Sequence, residues 1–111
     1  MTTVASKKAK GRRLQQIIVG LLRGKFPELT DRDVKSTPMG VTGADVQLSE
    51  AAVKLFPYEI EAKNQESFTA IYKAYKQCKG HGHLEPLLVI KMNGEKPLAV
   101  VDLVHFLSLQ K

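Results

Sequence analysis

The sequence predicts an α/β fold, with a central mixed sheet of about five strands flanked by helices. Three observations carry that expectation. The chain opens on apolar residues at helical spacing, its middle consists of short apolar segments bounded by glycine and proline, and helices alternate with strands without an internal repeat. With 111 residues, one domain over 10–111 is expected, preceded by a disordered basic tail over 1–9.

From about Lys10 to Phe26, Leu14, Ile17, Ile18, Leu21, Leu22 and Phe26 recur on one helical face, and Pro27 ends the run. Thr30 with Asp31 and Asp33 suits a further capped turn. The stretch VKSTPMGVTGADVQLS then reads as a short strand, a loop and a second strand from about Ala44 to Leu48. SEAAVKLF is a short helical excursion closed by Pro57, and FPYEIEAKNQE, residues 56–66, is the third strand. Glu66 to Lys79 is an amphipathic helix with Phe68, Ile71, Tyr72 and Tyr75 on its apolar face and Gly80 beyond its end. PLLVIKM is almost continuously apolar, as a strand covered on both faces would be. Asn93-Gly94 signals a hairpin into PLAVV, and a last helix runs from about Asp102 to Leu109.

Charge is unevenly distributed. Of 17 basic residues, Lys7, Lys8, Lys10, Arg12 and Arg13 lie in an acid-free opening, which leaves 12 against 11 acidic residues elsewhere. Such a front suits a polyanion, nucleic acid above all, although a solubilising tail has the same composition. The single Cys78 excludes an internal disulfide and fits a reducing compartment. No apolar run approaches the roughly 20 residues of a membrane span, and no apolar core follows the opening lysines as in a signal peptide. The expected location is the cytosol, with no membrane partner.

The third strand carries the chemistry. Alternation puts Tyr58, Ile60 and Ala62 on one face and Glu59, Glu61 and Lys63 on the other. If the second and third strands are neighbours, Asp45 converges with Glu61 and Lys63. Two carboxylates and intervening carbonyl oxygens suit Mg²⁺ or Mn²⁺, and a nearby ammonium can reach an attacking water or a phosphate. E-x-K alone arises often by chance, and a solvated strand face reads identically. The Gly-rich turn before Asp45 and the apolar strand before E-x-K favour the functional reading. Glu59 reads as a solvated carboxylate at the strand entrance.

Taken in order, these motifs resemble the PD-(D/E)xK nuclease superfamily, particularly small archaeal and phage-type Holliday junction resolvases. The matching residues are Lys10-Gly11-Arg12-Arg13-Leu14-Gln15, Val34-Lys35-Ser36, Asp45, Glu61-Ala62-Lys63 and Pro86-Leu87-Leu88-Val89-Ile90-Lys91, spread over residues 10–107. The resemblance implies a restriction-endonuclease-like fold and a Mg²⁺-dependent endonuclease on branched or duplex DNA, foremost four-way junctions, in a bacterial or phage-infected cell. It implies metal held by Asp45, Glu61 and the Ala62 carbonyl, with Lys63 orienting or deprotonating water. DNA would be held by Lys10, Arg12, Arg13, Lys35 and Ser36. Paired cutting implies a two-fold homodimer. Other nuclease substrates (flaps, nicks, ends) and a non-catalytic DNA-binding protein on a degenerate nuclease fold stay open.

The family's helix glutamate is replaced by Gln15, which helical angles put at the rim of the apolar face while Gln16 points away. Gln15 is either a supporting group in the site or a polar rim residue. The connection containing SEAAVKLF is longer than in compact resolvases. His81 and His83 lack further zinc ligands at normal spacing, His105 reads as structural, and Tyr72 and Tyr75 read as core or interface.

Overall fold

Lys, Ala and Arg are good helix formers, so the opening helix needs no apolar periodicity to begin. In the computed structural model, which describes residues 4–38, 40–64 and 67–111, α1 spans Val4–Lys25. It starts six residues before the expected Lys10, so 4–9, expected as tail, are helical; residues 1–3 lie outside the described ones. Its buried stripe is Val19, Leu22 and Phe26, while Ile17 stands 57% exposed. Gly11 and Gly20 lie within α1, where glycine costs about 0.5–1 kcal/mol relative to alanine. At neither would a Cβ meet another atom within 4 Å.

The chain forms two compact units, Met1–Gln65 with Gln110–Lys111, and Glu66–Leu109. In the first, β1 (Val34–Ser36) pairs antiparallel with β2 (Val46–Leu48) in the register Val34↔Leu48, Lys35↔Gln47, Ser36↔Val46. α1 lies against β1, and α2 (Glu50–Leu55) against β2. Leu22, Val34 and Val46 are the most completely enclosed large side chains, joined by Leu29, Ala52 and Phe56. The Phe56 ring stands 6.3 Å from Phe26 and 4.5 Å from Tyr58, both tilted. Arg23 ties helix to strand by donating from Nη2 to the Val34 carbonyl at 3.0 Å.

The capped turn at Thr30 forms as expected. Asp33 Oδ2 accepts from the Thr30 N–H (2.8 Å) and hydroxyl (3.1 Å), and Oδ1 accepts from the Ser49 hydroxyl at 2.7 Å. Ser49 in turn caps α2 through the Ala52 N–H at 3.2 Å, and its own N–H donates to the Asp33 carbonyl at 2.8 Å. The Thr30 N–H foremost, then the Ser49 hydroxyl, hold the Asp33 carboxyl below the usual carboxylate range against the opposing loss of hydration.

In the second unit, α3 (Thr69–Lys79) lies against β3 (Leu88–Ile90), which pairs antiparallel with β4 (Leu98–Val100) ahead of α4 (Leu103–Ser108). The expected helix start at Glu66 lies outside the described residues. The Asn93-Gly94 signal gives the turn it predicts: Gly94 takes φ +81°, and the Glu95 N–H closes onto the Met92 carbonyl at 3.0 Å. Asp102 caps α4 through the His105 N–H at 3.0 Å. Tyr75 is half-buried; lost hydration, then Glu85 and Asp102, push its phenol above the ordinary value. Tyr72, expected beside it on the apolar face, is 63% exposed.

The expected five-stranded mixed sheet is not what forms. Among the described residues there are four strands in two separate two-stranded antiparallel sheets, with four helices. Two causes are visible. Segment 56–64 is not a strand: Pro57 has no N–H to donate, the Tyr58 N–H turns back onto the Phe56 carbonyl (2.9 Å), and the link to β2's side is a backbone bond at Ile60 and not a ladder. That bond runs from the Asp45 N–H to the Ile60 carbonyl at 2.8 Å. Residues 65 and 66 of the expected strand lie outside the described ones. The second cause is that β3 pairs with β4 alone, and Val89, expected under cover, is 60% exposed.

Candidate functional site

Asp45 immediately precedes β2, and its environment follows from the interrupted ladder. Where a ladder would offer the Ala62 N–H a backbone carbonyl on the β2 side, the Asp45 carboxylate stands instead: Oδ2 accepts the Ala62 N–H at 2.6 Å. A charged acceptor makes this bond stronger than the amide pairing it replaces. The result lays Glu61-Ala62-Lys63 directly beside Asp45 without any regular strand.

Strand-like alternation survives locally. Lys63 Nζ stands 3.8 Å from Glu61 Oε1, so both side chains leave the same side, each more than half exposed. At that exposure the pair adds about 0–1 kcal/mol, too little to be its reason for existing. A hollow of about 230 Å³ is lined by Gly43, Ala44, Asp45, Glu59, Ile60 and Glu61. Glu59 thus shares that hollow with Asp45 and Glu61 instead of standing apart from them.

Asp45 also lines a second, larger groove of about 620 Å³. One wall is α1, through Lys8, Gly11, Arg12, Gln15 and Gln16; the other is Ser36, Thr37, Pro38, Gly40 and Val41. Spacings of three and four residues keep Lys8, Gly11, Arg12 and Gln15 on the stripe that continues Val19, Leu22 and Phe26. The helix overruns its short sheet, so the stripe that forms the core at one end forms a polar groove at the other. Across the groove, the Ser36 hydroxyl donates to Gln15 Oε1 at 2.6 Å.

The expected residues therefore divide. Asp45, Glu61, Ala62 and Lys63 come together, and Gln15, Arg12 and Ser36 meet Asp45 along the groove. Lys10 and Arg13 fall on other faces of α1 and line neither hollow. Lys35 is exposed on the face of β1 opposite Val34 and Ser36. Gln16, expected to point away, lines the groove, as do Lys8, expected only as part of the basic front, and Gly11, expected only as part of the opening motif. The Lys8–Arg12 spacing of four was the signal for them, usable only once the helix is extended toward Val4. His81 and His83 are both exposed; His105 Nδ1 stands 4.0 Å from Glu85 Oε2, and Cys78 Sγ donates to the Leu87 carbonyl at 3.6 Å.

Among the described residues, no group of three His, Cys, Asp or Glu side chains is arranged to hold a metal ion. The donor set nevertheless fits Mg²⁺, which keeps several waters and takes one or two carboxylates together with substrate phosphate. Asp45 and Glu61 are hard oxygen donors lining one small hollow, as that coordination needs. No helix among the described residues is long and apolar enough to cross a membrane. The chain matches no protein-family model, no curated protein and no solved structure.

Proposed function

We propose that this protein is a Mg²⁺-dependent endonuclease acting on branched DNA, foremost on four-way junctions. The observation that carries the reading is the position of Asp45, which is bonded to the E-x-K segment at 2.6 Å and also lines the groove of Lys8 and Arg12. Phosphodiester hydrolysis needs that adjacency: a hard anionic site next to cationic groups that hold the phosphate backbone.

Asp45 and Glu61 would hold the ion, which supplies Lewis acidity and a lowered water pKa when bound. Lys63, kept beside Glu61, offsets charge on the reacting phosphate and orients the attacking water. Lys8 and Arg12 neutralise backbone phosphates, which gives affinity without sequence readout. Two copies related by a two-fold axis would present two such sites to one junction. Sedimentation at micromolar concentration should then show a dimer, and a strict monomer, free and on DNA, would remove the paired-cut part of the proposal.

The test uses labelled four-way junction, flap, nicked duplex, duplex and single strand, each with Mg²⁺, with Ca²⁺ and with chelator. Cleavage of the junction in Mg²⁺ alone is expected, and Asp45→Asn and Glu61→Gln should each lower it by about two to three orders of magnitude. Binding in Ca²⁺ should persist in both variants. Full cleavage by both would sink the assignment. A second reading, a DNA-binding protein without hydrolysis, is favoured by the neutral Gln15 and by the exposure of Glu61. It predicts junction binding with no cleavage under any ion.

A further inference from the structure

Gly11 occupies a costly place. It is half-buried in the floor of the groove, inside a helix of 22 residues where alanine would hold the backbone better. Nothing in the fold demands it, because an added Cβ would meet no heavy atom within 4 Å. The space above Gly11 is therefore kept open by the sequence without serving the packing.

The groups around that space are suited to an anion. Lys8 and Arg12 stand one helical turn apart on the groove wall, about 6 Å along the axis, comparable to the separation of successive phosphates in an extended strand. Gln15 Oε1 is engaged by the Ser36 hydroxyl, so what the amide has left to offer a ligand is its donor, Nε2, and not that oxygen as a cation ligand.

On these grounds, and resting on the DNA-processing reading above, we infer that the groove over Gly11 is the seat of a single strand's sugar–phosphate backbone. The strand lies between α1 and the wall formed by Thr37, Pro38, Gly40 and Val41, with Gly11 admitting a sugar against the helix backbone. Gln15 and Arg12 donate to the phosphate oxygens that flank the phosphate reaching Asp45. Gln15 thus acts on DNA and not on the metal.

The experiment compares Gly11→Ala, Gly11→Leu and Gly20→Leu, the last an exposed site on the same helix outside the groove. Affinity for fluorescent single strand and four-way junction is measured in Ca²⁺, and thermal unfolding alongside it. All three substitutions should raise Tm by about 3 °C, since each replaces a helix-interior glycine. Gly11→Leu should lower affinity at least about tenfold and Gly11→Ala a few-fold, while Gly20→Leu stays within about twofold of the parent. A stabilised variant that loses its ligand is the signature of space reserved for that ligand. Parental affinity in Gly11→Leu, or an equal loss in Gly20→Leu, overturns the inference, as does a parent protein that binds neither DNA. The nuclease reading is scored separately by cleavage in Mg²⁺. Intact cutting by Gly11→Leu sinks this inference alone, and absent cutting with Gly11-dependent binding sinks only hydrolysis.

Discussion

The two units of this chain are built from similar parts and differ in what they enclose. In the first, a helix and two three-residue strands surround Leu22, Val34 and Val46 almost completely, with Phe26 and Phe56 closing the end. In the second, Leu107 alone among the described apolar residues is buried, while Leu84, Val89, Met92, Leu98, Val104 and Leu109 each stand at least 60% exposed. A hairpin and two short helices have too little apolar surface in mutual reach to exclude water. Every side chain of the candidate site belongs to the first unit, so geometry tight enough for chemistry occurs where a core exists to hold it.

The largest effect should come from the cores themselves. Leu22→Ala should destabilise the first unit by about 3 kcal/mol, whereas Leu98→Ala in the hairpin should cost no more than about 0.5 kcal/mol. Denaturant titration with probes in each unit would measure both, and equal losses would abolish the distinction. Next comes the α2 cap: Ser49→Ala should cost about 1 kcal/mol in the same titration. The Asp33 clasp adds a pH signature. Its carboxyl is held below the ordinary range, so it stabilises the fold above the unfolded-state value, and that stability is lost as pH falls through the folded value. The Tm gap between the parent and Asp33→Asn should be full at pH 6 and shrink below about pH 4. A gap that widens in acid would reverse the assignment. Smallest is the salt effect: Arg12→Ala should flatten the logarithmic salt dependence of DNA binding by about one unit, and Lys96→Ala in the second unit should leave it unchanged.

Periodicity located α1 but not the side it buries. Leu14, Ile17, Ile18, Leu21, Leu22 and Phe26 define a wide apolar arc, and the strand that meets it decides which part is covered. α1 lies against β1 with Val19 and Leu22 buried, Phe26 is buried just past its end, and Ile17 faces water. Apolar spacing also falls silent before Leu14, so Lys8, named for its charge, and Gly11, named in the opening motif, were not placed on the face that lines the groove. The proximity of Asp45 to Glu61 and Lys63 was legible from residue order and alternation. The means was not: a strand was expected, and a side-chain carboxylate takes the ladder position instead. The covered central strand expected from PLLVIKM failed because composition records apolarity without naming the partner that would cover it.

The α2 excursion has a root that bears on how this chain could change. It leaves the sheet at Ser49, whose N–H is fixed to Asp33, and returns at Ile60, whose carbonyl is fixed to Asp45. The two ends are therefore anchored independently of what lies between them. Doubling a flexible segment costs only about 0.6 kcal/mol in closure entropy, so the outward side, at Ala51, Val53 and Lys54, is a place where sequence can be inserted or a tag grafted. Ala52 and Phe56 are the exception, because they fill the core from that side. Within the excursion, length is negotiable and those two side chains are not.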